Sequence, residues 1–337
     1  MTVSRVAPAM TWEQAVLWLR AQPGQKALVD ACFFDDPLMD AVERYRQSEE
    51  WQAVQRLLPV PHSGQTALDV GAGRGIASYA LAKDGWQVTA LEPDSSSLVG
   101  ARAIREVADQ TGLPISVVEE WGEDLPFGDN SFDVVHARQV LHHARHLPNL
   151  CAELGRVLKP GGLLVATREH VLDSPDCLPS FLASHPLHSL YGGENAFTLE
   201  QYLDAMLKAN LLPQQVLGTF DSAINHYPLP ESKALELLLK NYPWRTQEDK
   251  GMLQHWGRRY CCANDYLYTF VAVSGRGSDE AATLRSRLAC VEARLDAQTR
   301  SLSRLSAATK HDSSKISSGS VLRRVKTRLR EWLGLFS

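Results

Sequence analysis

The segment Ala67-Leu68-Asp69-Val70-Gly71-Ala72-Gly73-Arg74-Gly75 ends an apolar run on closely spaced glycines and leads into a helix that opens at Ile76. Glycine lets the backbone approach a ligand closely, and the first turn of a helix presents unpaired N–H groups. Short apolar strands alternate with helical stretches from here on: Ala67 to Val70, Val88 to Leu91, Ile115 to Val118, Phe132 to Val135 and Leu163 to Ala166. Five such strands with helices between them give an α/β fold, a doubly wound Rossmann-like parallel sheet.

The rest of the chain is arranged around that sheet. Residues 1–60 read as N-terminal helices, a lead-in or cap, interrupted by Pro23-Gly24 and Pro37. The sheet domain spans 61–275. It carries an insertion over about 168–212 that is rich in Pro, His and aromatic residues, then late strands near Val216 to Phe220 and Tyr266 to Val273. Helices are expected over Glu231 to Leu239 and Lys250 to Arg258.

Beyond Gly275, the residues Leu284, Leu288, Val291, Leu295, Gln298, Leu302 and Leu305 step by four and three, a heptad seam that predicts a short coiled coil over 279–308. A single helix packed on the body is the alternative. A serine-rich linker, 313–320, separates it from 321–337, where Val321, Leu322, Val325, Leu329, Trp332, Leu333 and Phe336 share one helical stripe amid arginines and a lysine. A basic amphipathic helix of this kind suits the headgroup region of an anionic membrane.

Charge follows the same division. Residues 279–337 hold 12 Lys/Arg against 6 Asp/Glu, leaving 23 against 33 for the rest. An acidic body excludes nucleic acid as its main partner and leaves the tail to meet an anionic surface. The six cysteines form no CxxC pair, so neither a zinc site nor a disulfide framework is expected, and a reducing cytoplasm is the simplest setting. No stretch reaches the ~20 apolar residues that span a bilayer. The expected location is cytoplasmic, peripheral at the inner face of the membrane.

The second strand ends in Leu91-Glu92-Pro93-Asp94, which puts a carboxylate at a neighbouring strand tip, where it can accept from both hydroxyls of a ribose. An adenosine-containing cofactor follows. A dinucleotide would want Gly-x-Gly-x-x-Gly, but Ile76 stands where the third glycine belongs. Asp69 would also repel a pyrophosphate, whereas it suits an aminoacyl ammonium.

Further blocks follow in order: Glu123-Asp124-Leu125-Pro126-Phe127, Ser131-Phe132-Asp133-Val134-Val135 and Leu154-Gly155-Arg156-Val157-Leu158-Lys159-Pro160-Gly161-Gly162. From about Thr66 to Thr167 the chain resembles the class I S-adenosylmethionine (SAM)-dependent methyltransferases, in the group that includes the ubiquinone and menaquinone methyltransferases. The resemblance implies SAM as cofactor. It puts Asp69, Gly71 and Gly73 at the methionine end, Glu92 at the ribose, and the Trp121 to Leu125 turn, with Glu123 and Asp124, at the adenine. Relatives often carry an aspartate where Trp121 stands, so Trp121 either stacks on the base or packs. Arg138 meets the SAM carboxylate, an acidic acceptor or a surface partner.

After the fourth strand comes His136-Ala137-Arg138-Gln139-Val140-Leu141-His142-His143, the loop that in the family borders both the methionine end and the acceptor. His142 and His143 are base candidates, since an imidazole titrating near pH ~6.5 can take a hydroxyl proton; packing is the alternative for each. His170 and His188 join them in a segment where this fold builds its acceptor pocket. No metal is expected, because the spacing of these histidines with Glu169 or Glu194 matches no ligand motif.

The block His185-Pro186-Leu187-His188-Ser189-Leu190-Tyr191-Gly192-Gly193-Glu194, with the helical tail, resembles methyltransferases of bacterial cell-surface polysaccharides. The leading expectation is O-methylation of a sugar hydroxyl in a glycan or its lipid-linked precursor. An isoprenoid quinone or other membrane-borne small molecule is the rival acceptor. A non-catalytic SAM-binding scaffold, recruiting partners or forming a homo-oligomer through its coiled coil, is the rival of another class.

Overall fold

A computed structural model describes residues 10–185, 187–219, 221–230, 232–233, 266–277 and 279–309. Its centre is an eight-stranded sheet of order β3-β2-β1-β4-β5-β8-β7, with β6 paired to β5. The strands are β1 (Thr66–Val70), β2 (Gln87–Leu91), β3 (Ile115–Val118), β4 (Phe132–Arg138), β5 (Leu158–Leu172), β6 (Phe197–Thr198), β7 (Leu211–Leu217) and β8 (Tyr266–Ser274). The first five run parallel, and β8 lies antiparallel between β5 and β7.

Alternation along the strands builds two cores. Leu68 and Val135 join a cluster with Leu154, Tyr202 and Phe270, while their neighbours Ala67 and Val134 join Trp51, Tyr79 and Trp86 on the opposite face. A register slip of one residue would exchange these faces, at about 1.5–3 kcal/mol per large apolar side chain moved into water.

Helices α1 (Trp12–Ala21), α2 (Lys26–Cys32), α3 (Leu38–Gln47) and α4 (Glu49–Gln55) form the expected lead-in. Thr11 and Gln14 cap α1 reciprocally. The crossovers use α5 (Ile76–Lys83), α6 (Ala101–Thr111) and α7 (Leu147–Val157). Every residue of α5 from Ile76 to Leu81 is buried, because it lies between the sheet and α3. The short helices α8 (Leu178–Ser184) and α9 (His188–Tyr191) precede β6, then α10 (Leu199–Lys208) and α11 (Ala223–His226) follow.

Several boundaries differ from the sequence reading: the fourth strand runs on to Arg138, taking in His136 to Arg138 that read as loop, and the fifth begins at Leu158. The fifth strand continues through Leu172, so Arg168, Glu169 and His170 lie in it rather than in the insertion. Their polarity reads as loop, but each is buried. A bulge between Ala166 and Glu169, with Arg168 at φ 58°, re-aims the strand there. The late strand at Val216 to Phe220 is β7, Leu211–Leu217, carried back to Leu211 by pairing with β8.

The last described helix, α12 (Glu280–Thr309), packs on β7 and α10. Ala282, Ser286, Ala289, Cys290 and Ala293 are buried, whereas Leu284, Leu288 and Val291 of the heptad seam are exposed. The small residues allow close approach to the body and leave the larger stripe outward. No helix among the described residues is long and apolar enough to cross a membrane. The linker 313–320 and the basic segment 321–337 lie outside the described residues, as do nearly all of Glu231 to Leu239 and all of Lys250 to Arg258.

Candidate active site

A cavity of about 1250 Å³ opens at the carboxyl ends of the strands, where Val70, Leu91, Arg138 and Arg168 reach its wall. That is where an open α/β sheet binds its ligands. Pockets for one small molecule typically run ~300–1,000 Å³. This one has room for a cofactor and an acceptor together.

On one side stands the glycine turn. Gly71 and Gly73 have φ of 59° and 56°, a region costly for other residues. A Cβ on Gly71 would sit 2.7 Å from Val140 Cγ2, so this glycine lets the loop after β4 close against the turn. At Gly73 the nearest neighbour of a Cβ is the Val99 carbonyl oxygen at 3.9 Å, and the open side is the cavity.

Glu92, at the tip of β2, accepts the Gly73 N–H at 2.7 Å and the Asp94 N–H at 2.9 Å. These bonds fix the carboxylate beside the turn while burial raises its pKa to about 7. Asp69 lies behind the turn, 1 % exposed, with the Ser78 hydroxyl donating at 2.6 Å and His136 Nδ1 at 2.9 Å. It reaches the cavity wall, yet its main partners are internal.

The adenine-side candidates divide. Glu123 lines the cavity and accepts the Arg145 N–H at 2.8 Å; Asp124 is exposed and is not among the lining residues. Trp121 borders the cavity, half exposed, with the Arg145 guanidinium 4.4 Å from its ring centroid. Arg138 is committed inside the protein: Nε donates to Glu50 at 2.7 Å, and a terminal nitrogen to Glu50 and the Ala31 carbonyl. Glu50 is fully buried and holds the Arg138 pKa above its ordinary value. Nothing in Glu49-Glu50-Trp51 marked this acid, because its partner lies 88 residues on in a strand.

The roof is supplied by the lead-in. Trp12 packs edge-on against Phe34 at 5.4 Å and lies tilted against Tyr191 at 4.6 Å, and all three line the cavity. Arg74, in the glycine turn, donates to the carbonyls of Phe33 and Asp35 and pairs with Asp36, tying roof to turn.

At the other end the histidines gather. Glu169 is fully buried; its carboxylate accepts the N–H groups of Val140 and His142, both at 3.0 Å, and faces His142 Nδ1 at 2.7 Å. Gln139, just past the end of β4, and Arg168, at the bulge within β5, both hold positive φ, and a Gln139–Thr167 backbone bond joins the two bends. Such strained backbone persists where surrounding bonds over-determine it. Arg168 is held by the carbonyls of Ile224 and Tyr227.

Burial lowers the His142 pKa well below 6.5, aided by the positive charge its neighbours His143, His170 and His185 can carry. Burial raises that of Glu169 to about 7. His142 is therefore a neutral imidazole. Its Nδ1–H donates to Glu169, and its Nε2 keeps a lone pair. His170 lies edge-on to His142, ring centroids 4.6 Å apart, and both line the cavity, as do His143 and His185. His188, on α9, is not among the lining residues. Glu194, 8 % exposed, sits among these histidines and accepts the Tyr191 hydroxyl at 2.6 Å.

Residues 68–166 match the family model described as a methyltransferase domain. A ubiquinone biosynthesis O-methyltransferase of Methylobacterium sp. (strain 4-46) is 30% identical over 108 residues, 32% of this chain and 42% of that protein. One of the same name from Paramagnetospirillum magneticum is 36% identical over 108 residues, 31% of this chain and 41% of that protein. The chain thus spans about two fifths of the length of these curated relatives. A geranyl diphosphate C-methyltransferase from Streptomyces coelicolor, solved with Mg2+, geranyl diphosphate and S-adenosyl-L-homocysteine, superposes with a TM-score of 0.50 at 17% identity. The match covers 80% of this chain and 100% of that one. The likeness is one of fold. Residues 68–166 are thus similar to a methyltransferase domain, and the chain shares its fold with the geranyl diphosphate C-methyltransferase.

Proposed function

We propose that the protein transfers the methyl group of SAM to a hydroxyl oxygen held at the histidine end of the cavity. The observation that carries this reading is the His142–Glu169 pair, 2.7 Å apart, which leaves an unprotonated Nε2 beside the space an acceptor would fill. The fit of the cofactor rests on Gly73, whose missing side chain leaves the cavity open, and on Glu92, whose buried carboxylate can accept from ribose hydroxyls. SAM supplies a methyl sulfonium whose carbon is open to in-line attack. His142 Nε2 takes the acceptor O–H proton, the oxygen bonds to the methyl carbon, and the S–CH3 electron pair stays on sulfur. The protein's task is alignment and proton removal.

A sugar hydroxyl of a glycan or its lipid-linked precursor is the acceptor we favour. The polar groups of His143, His170, His185 and Tyr191 can bind several hydroxyls at once. A second reading, a phenolic hydroxyl of a quinone precursor, is favoured by the aromatic roof of Trp12, Phe33 and Phe34 and by the names of two relatives. Release of S-adenosylhomocysteine in the presence of lipid-linked glycans, nucleotide sugars or quinone lipids separates them. The basic segment 321–337 would hold the protein to an anionic membrane, and the exposed stripe of α12 would pair chains.

A further inference from the structure

Two imidazoles in the cavity are fixed by what stands behind them. His142 Nδ1 faces Glu169 at 2.7 Å, and His143 Nδ1 faces the Gly193 carbonyl oxygen at 3.1 Å. A carbonyl only accepts, so the hydrogen of His143 is on Nδ1; the carboxylate fixes the same tautomer in His142. In the neutral rings both Nε2 atoms carry lone pairs, and both lie beside one carboxylate oxygen: Glu194 Oε2 is 3.9 Å from His142 Nε2 and 3.8 Å from His143 Nε2. These separations are too long for hydrogen bonds.

Three acceptors thus converge, their ligand atoms all within 4.8 Å of one another, around a carboxylate that is nearly buried. A cation relieves the repulsion among them without protonating either ring. Imidazole with an acceptor on its far nitrogen is the usual dress of a metal ligand. Two such imidazoles and one carboxylate form the donor set of catalytic zinc sites, with a fourth position left open. Nitrogen donors disfavour Mg2+ and favour Zn2+, Co2+ or Ni2+.

We infer that His142 Nε2, His143 Nε2 and Glu194 Oε2 form a binding site for a divalent transition-metal cation, open toward the acceptor. Tetrahedral ligands at ~2.0–2.1 Å from a metal lie about 3.4 Å apart, so each imidazole must approach Glu194 Oε2 by roughly half an ångström, and the widest pair, within 4.8 Å, must close by up to about 1.4 Å. The fourth ligand, a hydroxyl oxygen, rests on the O-methylation reading; the cation site does not. A cation held there would supply Lewis-acid polarisation of the acceptor hydroxyl, easing loss of its proton, with His142 then serving as a ligand instead of as the base. Glu169 and the Gly193 carbonyl act as positioning groups.

The test is calorimetric titration of the chelator-treated full chain with Zn2+, repeated with Co2+ for its visible bands. Wild type is expected to take up one equivalent and to give the intense bands of four-coordinate Co2+. His143→Ala, whose half-exposed side chain leaves the fold little affected, and Glu194→Gln should each weaken binding on the order of tenfold or more; Glu169→Gln, one shell out, should lose about tenfold. The exposed His62→Ala should bind as wild type does. No uptake by wild type, or equal affinity in all four variants, would overturn the site. SAM affinity measured on the same samples keeps the two readings apart: cation bound without SAM refutes methyl transfer alone, and SAM bound without cation refutes the metal site alone.

Discussion

The Arg74 guanidinium donates to the backbone carbonyl of Phe33 at 3.2 Å, so the glycine turn on the cofactor side and the aromatic roof form one hydrogen-bonded unit. Arg74 sits within the motif that first marks the chain, yet its partners come from the N-terminal helices. Charged hydrogen bonds of this kind are worth about 1.5–3 kcal/mol. Arg74→Ala should therefore lower unfolding stability by about that amount and raise the KM for SAM more than it lowers kcat. Denaturant titration and steady-state kinetics check both.

Glu92 gives a pH dependence with a definite sign. Only the ionised carboxylate can accept from two ribose hydroxyls as well as from Gly73 and Asp94, so bound cofactor stabilises the charged form and binding releases a proton. Burial holds the free pKa at about 7. SAM affinity should rise with pH through about 7 and level off above it. Glu92→Gln should flatten the profile and cost tenfold or more, the equivalent of about 1.5–3 kcal/mol. Calorimetry between pH 6 and 8 reads this directly.

Gly73→Arg should abolish SAM binding. A Cβ there meets nothing nearer than 3.9 Å, so the longer side chain is expected to extend into the open cavity, while the positive φ adds about 1–2 kcal/mol of strain. Unchanged affinity would move the cofactor site elsewhere.

His142→Ala should lower kcat by about 10²-fold or more while leaving SAM affinity nearly unchanged. Protonation of His142 is opposed by its burial, so at saturating SAM its own titration should leave kcat unchanged as pH falls through 6.5, and a loss of kcat through about 7 would report protonation of Glu169. A limb centred at 6.5 would point to a solvated histidine instead.

Leu284→Glu with Leu288→Glu should lower the mass in light scattering if α12 pairs chains, without destabilising the body, because both side chains face solvent. Deleting 320–337 should release the protein from anionic liposomes and leave SAM affinity intact.

The parallel strands and the glycine turn were legible because they depend on local signals: apolar runs of strand length, and glycines where the backbone turns left-handed. The first three strands match the expected bounds to within one residue. What escaped is set by distant partners. Arg168, Glu169 and His170 look like loop residues until the carbonyls of Ile224 and Tyr227 and the N–H groups of Val140 and His142 satisfy them. Arg138 looked free for a ligand, but buried Glu50 engages it. The heptad pattern was visible; which stripe faces the body was not, since small alanines carry no periodic signal. His142, His143 and Glu194 meet only because β4 and the insertion end at the same edge of the cavity.

The most direct measurement is S-adenosylhomocysteine formation from labelled SAM, with the methylated product recovered from glycan, nucleotide-sugar and quinone fractions and its bond analysed. The account expects turnover that ceases in Gly73→Arg, falls about 10²-fold in His142→Ala, and leaves the label in an ether linkage. Label on carbon, turnover indifferent to His142, or tight SAM binding with no turnover in any fraction would contradict it.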